Sequence, residues 1–179
     1  GMNCFHASLA RRGMKQVDWR PEWNVLDIGC GGGANVKRLL KLCPQGKVYG
    51  MDLSEESVAF ARRHNAGELD RRCFIQQGDV CSLPYGDGAF DAVTAFETVY
   101  FWSSVSKALA EVFRVIRKGG CFLISLEASD PELGKAWTER IKGMTVYGAE
   151  ELKQLLSQAG FSDIRVIQKK EELHIVAHK

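Results

Sequence analysis

The run Asp27-Ile28-Gly29-Cys30-Gly31-Gly32-Gly33 narrows the possible folds of this chain more than any other stretch. It follows a short apolar segment, Val25-Leu26-Asp27-Ile28, and precedes a segment in which Val36, Leu39, Leu40 and Leu42 recur at helical spacing. A glycine-rich turn between a strand and a helix lets the backbone approach a ligand closely, while the helix N-terminus offers N–H donors and partial positive charge. The spacing Gly29-x-Gly31-x-x-Ala34 also satisfies the dinucleotide fingerprint in its G-x-G-x-x-A form. The glycines alone therefore leave a dinucleotide and other nucleoside-bearing cofactors both open.

From Trp23 to Ile124, short apolar runs alternate with helix-period segments, the rhythm of consecutive β-α units. Strands are expected at 25–28, 47–52, 73–77, 90–96 and 121–126. Pro44 and Gly46 end the first helix, and Ser54 caps a second one carrying Val58, Phe60 and Ala61. A third helix carries Leu109, Val112, Phe113, Val115 and Ile116, with Gly119-Gly120 read as its stop. Between 128 and 145 the rhythm breaks: Asp130-Pro131 opens a short helix with Trp137 and Ile141, which could form part of a substrate wall. A regular helix then runs through Leu152, Leu155 and Leu156 to Gly160, and segments 161–167 and 173–177 flank the charged turn Lys169-Lys170-Glu171-Glu172, an antiparallel hairpin. The expectation is one α/β domain over 23–179, a Rossmann-like doubly wound sheet of seven mostly parallel strands with the last antiparallel. Segment 2–22 precedes it, either as a lid or as a helix that packs on the sheet or stays partly mobile.

Three carboxylates refine the ligand. Asp27 sits at the strand end beside the turn, where it suits an ammonium and a sulfonium and opposes a pyrophosphate; like charges near 4 Å cost about 4 kcal/mol at an effective dielectric of ~20. Asp52, ending the second strand, is placed to accept hydrogen bonds from ribose hydroxyls. Asp79, in Gly78-Asp79-Val80 after the third strand, is placed to accept from an exocyclic adenine amine.

With these residues in view, VLDIGCGGG (25–33) resembles the first motif of the class I S-adenosylmethionine-dependent methyltransferases. VYGMDLS (48–54) is similar to that family's ribose-binding motif, QGDV (77–80) to its adenine-binding motif, FDAVTAFET (90–98) to its fourth-strand motif, and RVIRKGGCFLI (114–124) to the helix and strand that follow. The style is that of small-molecule enzymes of the ubiquinone and menaquinone biosynthesis type. The resemblance implies S-adenosylmethionine as cofactor, with Gly29, Gly31 and Gly33 lining its methionine portion and Asp27 orienting the amino group directly or through water. It further implies that Asp52 holds the ribose, that Met51 or Leu53 flanks adenine, that Asp79 and Val80 bind its edge, and that Phe96 and Glu97 border the methyl group.

Methyl transfer from a sulfonium needs an in-line nucleophile more than a strong acid, because the leaving group is already activated. Positioning alone can supply roughly 7–11 kcal/mol. Glu97 is the first candidate for a general base, with a structural role in binding backbone N–H groups as the alternative. Tyr100, Phe101 and Trp102 follow it as candidate acceptor-pocket residues. After the fourth strand the chain reads Ala95-Phe96-Glu97-Thr98, which lacks the Asn-Pro-Pro-aromatic signature of amino-directed nucleic-acid and glutamine enzymes. The cysteine context of RNA cytosine-5 enzymes, the paired-glutamate loop of arginine methyltransferases and the acidic metal cluster of catechol-type enzymes are not recognisable either. A metal-free, small-molecule acceptor is the expected partner. The rivals are an NAD-dependent oxidoreductase on the same turn and a cofactor-binding protein without catalysis of its own.

Bulk properties set outer bounds. With 179 residues, 45% hydrophobic and 26% charged, the chain has the composition of a folded globular domain. A net charge of +2 lacks the concentrated basic stripe that nucleic acid or an anionic membrane would demand. The six cysteines include no C-x-x-C pair and none at zinc spacing from histidine. No apolar run approaches ~18 residues and no leader pattern opens the chain, so the expectation is a cytoplasmic protein with reduced thiols and no membrane span. Gly1 ahead of Met2 reads as an expression remnant.

Overall fold

The computed structural model describes residues 2–179, with side chains from His6 onward; Gly1, and with it the remnant reading, lies outside the described residues. Seven strands form one sheet in the order β3-β2-β1-β4-β5-β7-β6. They are β1 (Val25–Ile28), β2 (Val48–Asp52), β3 (Cys73–Gln77), β4 (Phe90–Phe96), β5 (Ile116–Leu126), β6 (Ser162–Lys169) and β7 (Glu172–His178). β1 pairs in parallel with β2 and β4, β2 with β3 and β4 with β5, whereas β7 runs antiparallel to both β5 and β6. The strand order reverses at β1, and in such sheets the crevice beyond the carboxyl ends of the strands at that switch point is where ligands bind.

The central strands read as nearly unbroken apolar runs because both faces are covered. On one face α1 (Met2–Met14), α2 (Ala34–Leu42) and α3 (Glu55–His64) pack on a core that includes Val25, Val36, Leu39, Val48, Ile75, Leu123 and Val176. On the other, α4 (Val105–Val115) and α6 (Ala149–Ala159) cover Leu26, Val93, Phe122, Ile124 and Ile175. Leu26 and Val25 fall in opposite cores because successive strand residues point to opposite faces. Ser54 caps α3 by accepting from the Ser57 N–H at 3.1 Å, as expected from the sequence.

Helix α4 departs from the expectation. It ends at Val115, and Ile116 already belongs to β5, paired with Phe90. Gly119-Gly120 therefore does not stop a helix; it lies within β5, where the register with β4 shifts between Phe90 and Ala92. Gly119 has φ +87° and exchanges backbone hydrogen bonds with the chain end: its N–H donates to the Lys179 carbonyl and the Lys179 N–H to that of Gly120. An irregular strand with a left-handed residue needs glycine as much as a helix terminus does, which is why the dipeptide misleads. Arg114 near the end of α4 binds Glu111, Asp87 and the carbonyls of Leu83 and Tyr85, pinning the turn-rich 82–88 segment to the helix.

The segment after β5 contains only a four-residue helix, α5 (Lys135–Thr138), with Trp137 and Ile141 exposed. Val146 is buried in the α4–α6 core, and the Thr145 N–H donates to the Tyr100 carbonyl. Ahead of β1, Leu9, Ala10, Met14 and Val17 are buried, so α1 packs on the sheet along its C-terminal half. Among the described residues, no helix is long and apolar enough to cross a membrane, and Cys30, Cys43, Cys73, Cys81 and Cys121 are free thiols.

Candidate functional site

The glycine turn is shaped by close approach as much as by dihedral freedom. Gly29 has φ +69°, and a Cβ there would lie 2.1 Å from Thr98 Oγ1, which no side chain tolerates. At Gly33, φ +84°, a Cβ would meet Asn65 and Ala61 of the α3 region at 2.7–2.9 Å. Gly31 differs: nothing lies within 4 Å of its Cβ position, so the middle of the turn faces open space.

Asp52 closes this turn from the side. Its Oδ2 accepts from the Gly31 N–H and its Oδ1 from the Ser54 N–H, both at 2.9 Å. Each oxygen keeps a second lone pair for a ligand hydroxyl. Asp79 fixes its own loop by accepting from the Cys81 N–H at 2.8 Å through Oδ1.

Asp27 is only 1% exposed and accepts from Thr94 Oγ1 at 2.7 Å. Burial pushes its carboxyl up to about 7, against the pull of the Thr94 hydroxyl, and the negative charge of Asp52 adds to the rise. A buried acid in that condition is stabilised as a carboxylate by a cation nearby.

A cavity of about 350 Å³ opens beyond the ends of β1, β2 and β4, inside the volume range of small-molecule sites. Of the residues expected at the cofactor, Gly29, Met51, Asp52, Leu53, Asp79 and Val80 line it; of those expected on the acceptor side, Glu97, Phe101 and Trp102 do. Asp27, Gly31, Gly33, Phe96 and Tyr100 are not on its wall. Asp27 and Phe96 are buried behind it, and Gly33 is packed against α3. Ile28, Gly78, Thr98 and Ser103 complete the lining and are not among the expected site residues, although Thr98 stands in the fourth-strand motif. A larger cavity of about 690 Å³ runs beside α1 and α2 and contacts Arg11, Lys37, Arg38 and Trp19. It shares no residue with the one at the strand ends, where the motif carboxylates converge, and chemistry is assigned to the smaller cavity for that reason.

Glu97 occupies a left-handed backbone conformation, φ +56°, which for a glutamate stores strain of the sort found at functional sites. Its Oε1 accepts from the Tyr100 hydroxyl at 2.8 Å and from the Glu127 N–H, while Tyr100 Oη accepts from the Ala128 N–H at 2.9 Å. Burial pushes the Glu97 carboxyl above its ordinary value, and the two donors pull it back. Burial and the neighbouring Glu97 also push the Tyr100 phenol up, keeping it a donor. The second oxygen, Oε2, faces His6 of α1 at 3.9 Å, and His6 Nε2 lies equally far from Glu127 Oε2. His6 and Glu127 were not expected here. Glu127 follows β5 as Glu97 follows β4, a strand-end position that could have flagged it; nothing in the sequence around His6 does.

A second histidine lies deeper. His174 Nδ1 is 2.7 Å from Ser125 Oγ across the β5–β7 pair, and its Nε2 is 2.9 Å from Glu172 Oε2. Arg12 of α1 grips Glu172 through Nε at 2.9 Å and Nη2. Ser125 is fully buried, and a Cβ on Gly13 would come within 2.1 Å of its hydroxyl. The serine–histidine–glutamate order resembles a hydrolytic triad, but α1 seals it.

A family model described as a methyltransferase domain matches residues 26–124. A demethylmenaquinone methyltransferase from Symbiobacterium thermophilum is 35% identical over 123 residues, covering 68% of this chain and 49% of that protein. A fatty-acid O-methyltransferase from Mycolicibacterium smegmatis is 38% identical over 123 residues, covering 68% of this chain and 43% of that protein. The chain thus spans just under half the length of these curated relatives. Among solved structures, the YcgJ protein from Bacillus subtilis superposes with a TM-score of 0.77 at 29% identity, covering 91% of this chain and 71% of that one.

Proposed function

Since the chain belongs to the methyltransferase-domain family of class I S-adenosylmethionine-dependent methyltransferases, we propose that it transfers a methyl group from that cofactor to a small-molecule acceptor. The observation that carries this reading is the cavity itself, where the glycine turn, Asp52 and Asp79 meet Glu97 and its aromatic neighbours across one wall. Bound S-adenosylmethionine supplies a methyl group already activated on a sulfonium.

The residues suit that group. Asp52, with two lone pairs free, accepts from the ribose hydroxyls; Met51 and Leu53 flank the adenine, and Asp79 and Val80 meet its edge. Gly31, with open space at its Cβ position, leaves room for the methionine portion, while Gly29 and Gly33 hold the turn against Thr98 and α3, with Phe96 behind. Asp27 supplies a carboxylate behind the turn for the ammonium. Cation binding favours the ionised acid, so cofactor affinity is expected to rise with pH up to about 7 and then level off. Calorimetry in buffers of different ionisation enthalpy should register proton release below that point, and Asp27→Asn should flatten the profile.

On the acceptor side, Glu97 is the catalytic candidate. Tyr100 and the Glu127 N–H hold one oxygen, so the other is presented in a fixed direction to orient the acceptor. Phe101 and Trp102 wall the acceptor and exclude water. Positioning of the nucleophile in line supplies most of the acceleration. Residues 2–22 act as a partial cover, carrying His6 to the rim.

Binding of S-adenosylhomocysteine to the full chain tests the cofactor half. Asp52→Ala should weaken it about 10–100-fold, the worth of hydrogen bonds to a charged group; unchanged affinity removes Asp52 from the ribose. Release of S-adenosylhomocysteine with quinols or long-chain carboxylates tests the acceptor half. Tight binding without turnover on any such acceptor would turn the reading toward a non-catalytic cofactor-binding protein.

A further inference from the structure

We propose that His6, Glu97 and Glu127 form a binding site for one divalent transition-row cation, zinc or manganese, at the rim of the methyl-transfer cavity. One ligand atom from each side chain lies within 4.8 Å of the other two, and His6 Nε2 is 3.9 Å from Glu97 Oε2 and from Glu127 Oε2. Those separations are too long for hydrogen bonds. Ligands of a tetrahedral ion with bonds of about 2.0–2.2 Å stand roughly 3.4 Å apart. His6 and Glu127 are both largely exposed, so the rotamer adjustments of roughly 0.5–1.5 Å that reach this spacing are open to them.

Two further observations favour a ligand over an idle surface pair. The Glu97 oxygen that does not face His6 is already held by Tyr100 and by the Glu127 N–H, which aims the remaining oxygen at the cluster. Metal-binding carboxylates are oriented by such supporting hydrogen bonds. Glu97 also pays for a left-handed backbone to reach this direction. One imidazole and two carboxylates form a mixed nitrogen and oxygen set that suits zinc or manganese better than magnesium, and three protein ligands leave positions open.

Glu97 borders the cavity, so a cation here changes how that residue meets the acceptor: through the ion, which polarises an acceptor oxygen, in place of a direct hydrogen bond. This purpose rests on the methyl-transfer reading; the existence of the site does not. The test is equilibrium dialysis of the chelator-stripped full chain against Zn²⁺ or Mn²⁺ alone, with Mg²⁺ as contrast. One equivalent of Zn²⁺ or Mn²⁺ should bind, and His6→Ala and Glu127→Gln should each lower affinity more than about 10-fold. Tyr100→Phe, which leaves all three ligands in place, should weaken binding about 10-fold by freeing Glu97. Absence of stoichiometric binding, or Zn²⁺ binding undiminished in His6→Ala and Glu127→Gln, overturns the site. If metal binds as expected but S-adenosylhomocysteine does not, the methyl-transfer reading fails and the cation site stands.

Discussion

Two histidines in this chain lie against glutamates, one beneath α1 and the other on it, and they have opposite fates. His174 has both ring nitrogens within hydrogen-bond distance of a partner, is 3% exposed, and lies beneath α1 with Ser125 and Glu172. His6 stands about half exposed, with two carboxylates just beyond bonding distance. Each set joins a histidine to glutamate; completeness is what differs. A saturated, buried set of hydrogen bonds fixes α1 to the sheet and has no valence left for a ligand, whereas the unsaturated set at the strand ends does.

If that contrast is right, the largest effect on folding comes from the closed cluster. His174→Ala should cost about 2–3 kcal/mol in chemical denaturation, because it strands the Ser125 hydroxyl and removes a filled volume. Gly13→Ala should follow at about 1–3 kcal/mol, as its new methyl overlaps the Ser125 hydroxyl and lifts α1. A smaller signal comes from acid. Arg12 holds the Glu172 carboxyl down at about 2, so its stabilisation is complete above about pH 4.5 and drains away as pH falls toward 2. Arg12 is half exposed, so less than about 1 kcal/mol is at stake, and Arg12→Met should flatten the fall in unfolding free energy between pH 5 and 3, read by chemical denaturation, by about that amount. The smallest effect is expected at the open cluster: His6→Ala should shift stability by no more than about 0.5 kcal/mol. A large loss there would make His6 a structural residue and erase the distinction.

The parts of the molecule legible in the sequence are those encoded locally. Strand β4 announces itself through seven consecutive residues, and the turn at Gly29 through four glycines within five positions between a strand and a helix. Asp52 and Asp79 are readable because the first ends β2 and the second follows β3 by two residues. The β5 start was misread at Ile116, where a buried apolar residue fits helix and strand alike and only pairing with Phe90 decides. The two histidine clusters were illegible for a different reason. Ser125 and His174 are 49 positions apart, and His6 meets Glu97 only after α1 docks over β5. Such contacts are products of topology, with no local periodicity to betray them.

The near-contact of Gly29 with Thr98 has one more consequence. The glycine turn and the β4 extension that carries Glu97 are keyed together, with no space for even a methyl group between them. Thermal displacements of the two halves are then largely common-mode: what shifts one shifts the other, and the distance between the turn and the Glu97 segment is conserved while the cavity as a whole breathes. In the proposed methyl transfer, whose rate would depend on alignment over fractions of an ångström, a shared wall preserves aim without requiring the rest of the fold to be stiff.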